Sequence, residues 1–180
     1  RVGRHQFTKL HQFVGRRVEL EIIGRNLDAM LQKAHVRLGI RGEAGVGKSR
    51  LKAELMKLAY QRGIATVEGA CSSFETSTPY YLWSALLLNL LKIPSETNET
   101  VIRERLQQQL QSYGLEEHTP YLATLLSVRY GEIMLVDEKV RKQRIFQAVR
   151  ALLSTVSLRR PVVFILEDLH WIDRFSQELL

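Results

Sequence analysis

The sequence predicts an α/β fold: a parallel sheet with flanking helices, and a helical insert between its second and third strands. Three observations carry that reading. Gly42-Glu43-Ala44-Gly45-Val46-Gly47-Lys48-Ser49 fits the pattern G-x-x-x-x-G-K-[ST]. Around it, Val36–Arg41 alternates as a strand does, while Leu51, Leu55, Leu58 and Ala59 recur at helical spacing within Ser49–Arg62. Far downstream, Val162-Val163-Phe164-Ile165-Leu166 is continuously apolar and ends in Glu167 and Asp168, as a strand buried on both faces would.

The spelling of the loop has a chemical reason. A loop that wraps a phosphate chain must turn several backbone N–H groups inward, and glycine adopts the required dihedrals without a Cβ clash. Lys48 supplies a compact positive charge for the β/γ-phosphates, and the Ser49 hydroxyl is a hard oxygen ligand suited to Mg²⁺. Strand, glycine-rich loop and helix is the context that such a site needs, because the helix N-terminus adds N–H groups and a favourable dipole. The segment therefore reads as a nucleotide site.

In chain order, residues 1–12 are polar, basic and without periodicity, and read as a leader. Phe13-Val14-Gly15-Arg16 is an apolar entry, followed by a helical stripe of Leu20, Ile23, Leu27, Met30, Leu31 and Ala34. After the loop and its helix, Gly63 breaks the pattern and Ile64–Gly69 reads as a second strand, completing a βαβ unit. Residues from about 79 to 158 are helical in pattern: Tyr81–Ile93 stopped by Pro94, Thr100–Tyr113 closed by Gly114, Pro120–Val128, and Lys139–Ser157. The run Met134-Leu135-Val136 stays open between turn and strand. Arg159-Arg160-Pro161 then punctuates before the strand at 162–168, and a helix begins at Ser176.

With 180 residues, 45% hydrophobic and 25% charged, the chain suits one globular domain. No apolar run approaches the roughly 18 residues of a membrane helix. No signal-peptide pattern follows Arg1, so a cytoplasmic location is expected. Cys71 is the single cysteine, which excludes an internal disulfide and a cysteine-based zinc cluster; it is expected to pack as a small apolar residue. The net charge of +7 invites a nucleic-acid partner, but the basic residues are scattered over Arg1/Arg4/Lys9, Arg16/Arg17, Arg141/Lys142/Arg144 and Arg159/Arg160 with no reading module. Direct nucleic-acid binding by this segment is not expected.

Three segments also resemble a known family. Phe13–Leu20, FVGRRVEL, resembles the FVGR-x-x-EL box that opens many AAA-plus-related ATPase domains. Gly42–Leu51, GEAGVGKSRL, is similar to their Walker A, and Glu167–Asp173, EDLHWID, looks like the EDLHW-x-D form of Walker B. Together they resemble the signal-transduction ATPases with numerous domains (STAND), in the branch attached to bacterial class III nucleotide cyclases and LuxR/MalT-type regulators. The resemblance runs over about 13–180.

That resemblance implies a P-loop NTPase fold of AAA-plus type with ATP and Mg²⁺ as cofactors. Phe13, Val14 and Arg16 would line the adenine, chiefly through backbone groups; taken without the resemblance they read as a plain helix entry. Gly42, Glu43, Ala44, Gly45, Val46, Gly47, Lys48, Ser49 and Arg50 form the nucleotide-contacting set, with Lys48 also catalytic. Glu167 falls at the Mg²⁺-associated acid, beside Ser49 as metal ligand, and Asp168 at the acid that polarises water. The family usually places Asp then Glu there; the shorter Asp168 puts fast hydrolysis in doubt. His170 is expected to orient the loop and Trp171 to pack. The family's strand order, 5-1-4-3-2, sets a fourth strand between the loop strand and the acid-bearing strand. The chain stops twelve residues after Asp168, so it is expected to be the N-terminal part of an ATPase module.

The function expected is an ATP-binding, slowly hydrolysing regulatory switch of a multidomain signalling protein. Its partners would be ATP and ADP, an effector domain of the same polypeptide (nucleotide cyclase or helix-turn-helix type), and other copies of itself in a nucleotide-dependent manner. An initiator-type DNA-loading ATPase and a P-loop phosphotransferase kinase stand as alternatives, the first favoured by charge, the second disfavoured by an acid pair suited to activating water.

Overall fold

The computed structural model describes residues 15–94 and 97–180. The leader at 1–12 and the residues Phe13 and Val14 lie outside them. The chain forms two compact units, divided between Arg62 and Gly63.

In the first unit, α1 (Arg17–Leu31) packs on α2 (Lys48–Gln61). The predicted stripe is what α1 buries, through Ile23 and Leu27; α2 buries Leu51, Leu55 and Ala59. Arg62, just past α2, donates from Nε to Asp28 Oδ1 of α1 at 2.7 Å, and this guanidinium beside Asp28 holds its carboxyl below the ordinary carboxylate value.

The strand expected at 36–41 is not formed. Among the described residues the sheet has two strands, and Leu38 and Ile40 are 42% and 38% exposed. Alternation supplies only the side-chain pattern of a strand; a ladder of hydrogen bonds to a neighbour makes one. Residues 36–41 have no such ladder partner among the described residues.

The second unit holds β1 (Ala65–Ala70) and β2 (Val162–Glu167), which run parallel with Ala65 opposite Val162 and Ala70 opposite Glu167. Parallel neighbours need a crossover connection, and here it is built from α3 (Tyr81–Leu91), α4 (Glu99–Tyr113), α5 (Thr119–Leu125) and α6 (Glu138–Arg159). Local chemistry sets the ends of these helices. Asn98 Oδ1 caps α4 by accepting from the Val101 N–H at 3.0 Å, and Asp137 caps α6 from the Lys139 N–H at 2.9 Å. Gly114 closes α4 in the left-handed region at φ 69°. Residues Gly131–Leu135 form a 3₁₀ turn, which resolves the ambiguous run toward turn.

The core of this unit is leucine-rich. Leu86 and Leu87 of α3, Leu106 and Leu110 of α4, Leu122 of α5 and Leu152 of α6 are almost wholly buried, each burial stabilising by about 1.5–3 kcal/mol. Against the sheet, α3 comes close because Gly69 carries no Cβ: one built there would stand 3.2 Å from both Leu82 Cδ1 and Leu86 Cβ. No helix among the described residues is long and apolar enough to cross a membrane.

Candidate functional site

The loop Gly42–Ser49 folds as its spelling demands. Gly45 and Gly47 adopt φ of 81° and 89°, values L side chains rarely take. Gly42 matters for space instead: a Cβ there would come within 2.9 Å of Val46 Cγ2. Gly47 is the N-cap of α2, so the first N–H groups of that helix, Lys48 and Ser49 among them, open toward the loop.

Lys48 is the centre of this arrangement. Its Nζ donates to Gly42 O at 2.9 Å and to Glu43 O at 2.8 Å, so the ammonium lies within the loop. Two carbonyl contacts leave an ammonium capacity for a third partner. A cradle without a Cβ at Gly42, a held cation and a helix N-terminus form a donor set that fits a phosphate group. Arg50 faces a different partner: it donates to Glu54 one turn along α2 at 3.1 Å.

Arg16 reaches the same loop. It sits in the left-handed region (φ 54°) directly after Gly15 (φ 85°) and caps α1. Its guanidinium Nη2 donates to the carbonyl of Val46, and its Nη1 lies 3.7 Å from Glu19. Thus Arg16 is brought to the loop, through protein contacts to Val46 and Glu19. Phe13 and Val14 lie outside the described residues.

In the second unit, Glu167 is the last residue of β2 and its carbonyl accepts from the Cys71 N–H at 3.0 Å, extending the ladder by one bond. Asp168 then enters the left-handed region at φ 53°. For a non-glycine residue this conformation costs about 1–2 kcal/mol. It turns the chain into a 3₁₀ turn over Leu169–Trp171, closed by the Trp171 N–H donating to Asp168 O at 2.8 Å. The carboxylates of Glu167 and Asp168 are therefore carried by different backbone: one on the strand, one on an exposed turn.

Trp171 does not pack as expected. It is 43% exposed and tilts against His170, with ring centroids 4.9 Å apart. A 3₁₀ turn this short leaves no helical face to bury, and the two rings cover one another instead. Cys71 is buried, as its small apolar character suggests; burial first, then the negative charges of Asp173 and Asp168, push its thiol pKa up.

Asp173, named in the sequence only as the closing acid of EDLHWID, has a structural role that the motif does not reveal. It is 4% exposed, and its Oδ1 accepts from the Ser176 N–H at 2.8 Å and from the Tyr80 N–H at 3.0 Å. The first bond caps α7 (Arg174–Leu179); the second ties that cap to the start of α3. Trp83 of α3 adds a bond from Nε1 to Ser176 O at 3.2 Å. The signal was available: Asp173-Arg174-Phe175-Ser176 places an acid three residues before the N–H it caps.

A family model described as an AAA ATPase domain matches residues 12–180. The chain belongs to this family. No curated protein and no solved structure matches it significantly. Membership makes the chain an AAA-type P-loop ATPase domain, a nucleotide-binding module whose short parallel sheet and many helices fit that class. The match covers both compact units of this AAA ATPase domain, from ahead of Arg16 to beyond Asp173.

Proposed function

We propose that this AAA ATPase domain is an ATP-binding regulatory switch of the STAND branch. The observation that carries the reading is the Lys48 ammonium held on the carbonyls of Gly42 and Glu43, at the N-terminus of α2, in a chain of the AAA family. In this reading Lys48 and the N–H groups of Gly42–Ser49 bind the β- and γ-phosphates of ATP. The Ser49 hydroxyl and Glu167 are the residues that would hold Mg²⁺, which would supply charge neutralisation at the phosphate oxygens. Arg50 and the Phe13–Arg16 segment complete the nucleotide-contacting set.

Asp168 is assigned the polarisation of the attacking water. Its side chain is a methylene shorter than the glutamate usual there, and it hangs from a left-handed turn. Both features favour slow turnover, which suits a switch more than a motor. ATP then favours one arrangement of the parent polypeptide and ADP another, read by an effector domain of the nucleotide cyclase or helix-turn-helix type.

The test is titration with ATP and Mg²⁺ of the chain and of Lys48→Ala, followed by product analysis. Saturable binding lost in Lys48→Ala, with free phosphate as the sole slow product, is expected. Equal affinity in both proteins sinks the assignment of the loop, and a phosphorylated small molecule as product sinks the switch.

A further inference from the structure

A second concave site lies in the helical unit, and none of the residues lining it belongs to Gly42–Ser49. It is a cavity of about 450 Å³ walled by Tyr80, Tyr130, Phe175, Arg129, Arg141 and Ile145, within the size range of small-ligand sites. Its apolar side is firm, since Ile133, Val128 and Ile145 on the wall are nearly fully buried. Tyr80 and Phe175 face each other there with ring centroids 5.4 Å apart at 49°.

Its polar side carries positive charge. Arg129, Arg141 and Lys142 line it against one carboxylate, Glu138. Lys142 is satisfied by Glu178 of α7. The side chain of Arg141, a half-buried residue one position before it, makes no hydrogen bond or ion pair among the described residues, while its backbone N–H donates to Asp137 O at 2.8 Å. The Tyr130 hydroxyl is buried and has no hydrogen-bond partner among the described residues, while the Arg103 guanidinium covers that ring at 4.6 Å. A buried hydroxyl without a partner is unfavourable, and a ligand oxygen offsets that cost.

We infer that this cavity binds a small molecule made of one planar apolar ring and one oxyanion, either carboxylate or phosphate. The ring lies against the Tyr80–Phe175 pair and the isoleucines, and the oxyanion pairs with Arg141 and accepts from the Tyr130 hydroxyl. The site is independent of the nucleotide reading, because none of its residues belongs to Gly42–Ser49.

Phenyl phosphate, benzoate and uncharged phenol are titrated into the whole chain, followed by the methyl resonances of Ile133 and Ile145. The same titrations are run on Lys48→Ala, Arg141→Ala and Tyr130→Phe, each checked for folding by circular dichroism. Expected is saturable binding of one or both anions at or below about a millimolar, with shifts at both isoleucines, and phenol at least about tenfold weaker. Lys48→Ala leaves this unchanged, Arg141→Ala weakens it about tenfold or more, and Tyr130→Phe weakens it by less. Phenyl phosphate alone or benzoate alone identifies which oxyanion the site takes. Absence of saturable binding, equal binding of phenol, indifference to Arg141→Ala, or loss on Lys48→Ala overturns the proposal.

Discussion

The Nζ of Lys48 donates to the carbonyl of Gly42 at 2.9 Å, so the first glycine of the loop holds the cation that the last turn of the loop presents. That bond positions the charge before any ligand arrives. A guanidinium is a planar fork, too broad for a point contact between two carbonyls. Lys48→Arg should therefore bind ATP almost as poorly as Lys48→Ala, about tenfold or more below the parent. Isothermal titration of the three proteins with ATP checks this; parent-like affinity of Lys48→Arg would show that charge alone suffices.

Gly47 caps α2 at φ 89°. An L side chain in that region costs about 1–2 kcal/mol, and the loop can relieve it only by leaving its present path. Gly47→Ala is expected to lower the thermal midpoint slightly and to weaken ATP binding far more. The two readouts separate strain from global unfolding.

Asp173 joins two helices through one oxygen, accepting from Ser176 and Tyr80. Asp173→Ala removes a helix cap and leaves a buried N–H of Tyr80 without its acceptor. We expect a loss of about 2–4 kcal/mol in urea unfolding. Asp173→Asn retains a carbonyl oxygen and should lose clearly less.

Gly69 touches α3 closely enough that any Cβ meets Leu82 and Leu86. Gly69→Ala is expected to destabilise by about 1–3 kcal/mol through displacement of α3 from β1. Gly131, where an added Cβ meets nothing, serves as the control: Gly131→Ala should change stability little.

Glu178 of α7 accepts from Lys142 of α6 and from Arg174. The bond from Lys142, and then that from Arg174, hold its carboxyl below the ordinary value of 4.5. A depressed carboxylate pKa contributes stability that is present above 4.5 and is lost as pH falls through the folded value. Glu178→Gln should therefore melt below the parent at neutral pH, and the two midpoints should converge in acid. A gap that persists below the depressed value would assign the effect to packing.

By itself the sequence determined what short stretches decide. The loop Gly42–Ser49 and α2 follow from glycines that permit positive φ and from leucines at helical spacing. Gly114 sets a helix end, as read from the sequence, because a glycine stop acts locally; the Asn98 and Asp137 caps are equally local, but the sequence reading does not include them. Val162–Leu166 lies in β2 as its apolar run suggests, but the burial on both faces expected of it is not found: Val162 is buried and Val163–Leu166 are partly exposed, since the sheet has two strands among the described residues. Tertiary structure alone decided the rest. Residues 36–41 alternate as well as any strand, yet a strand exists only with a ladder partner. Arg16 meets Val46 30 positions away, and Asp173 meets Tyr80 93 positions away. No periodicity encodes such distances, since the contacts depend on where the packed core sets each element down.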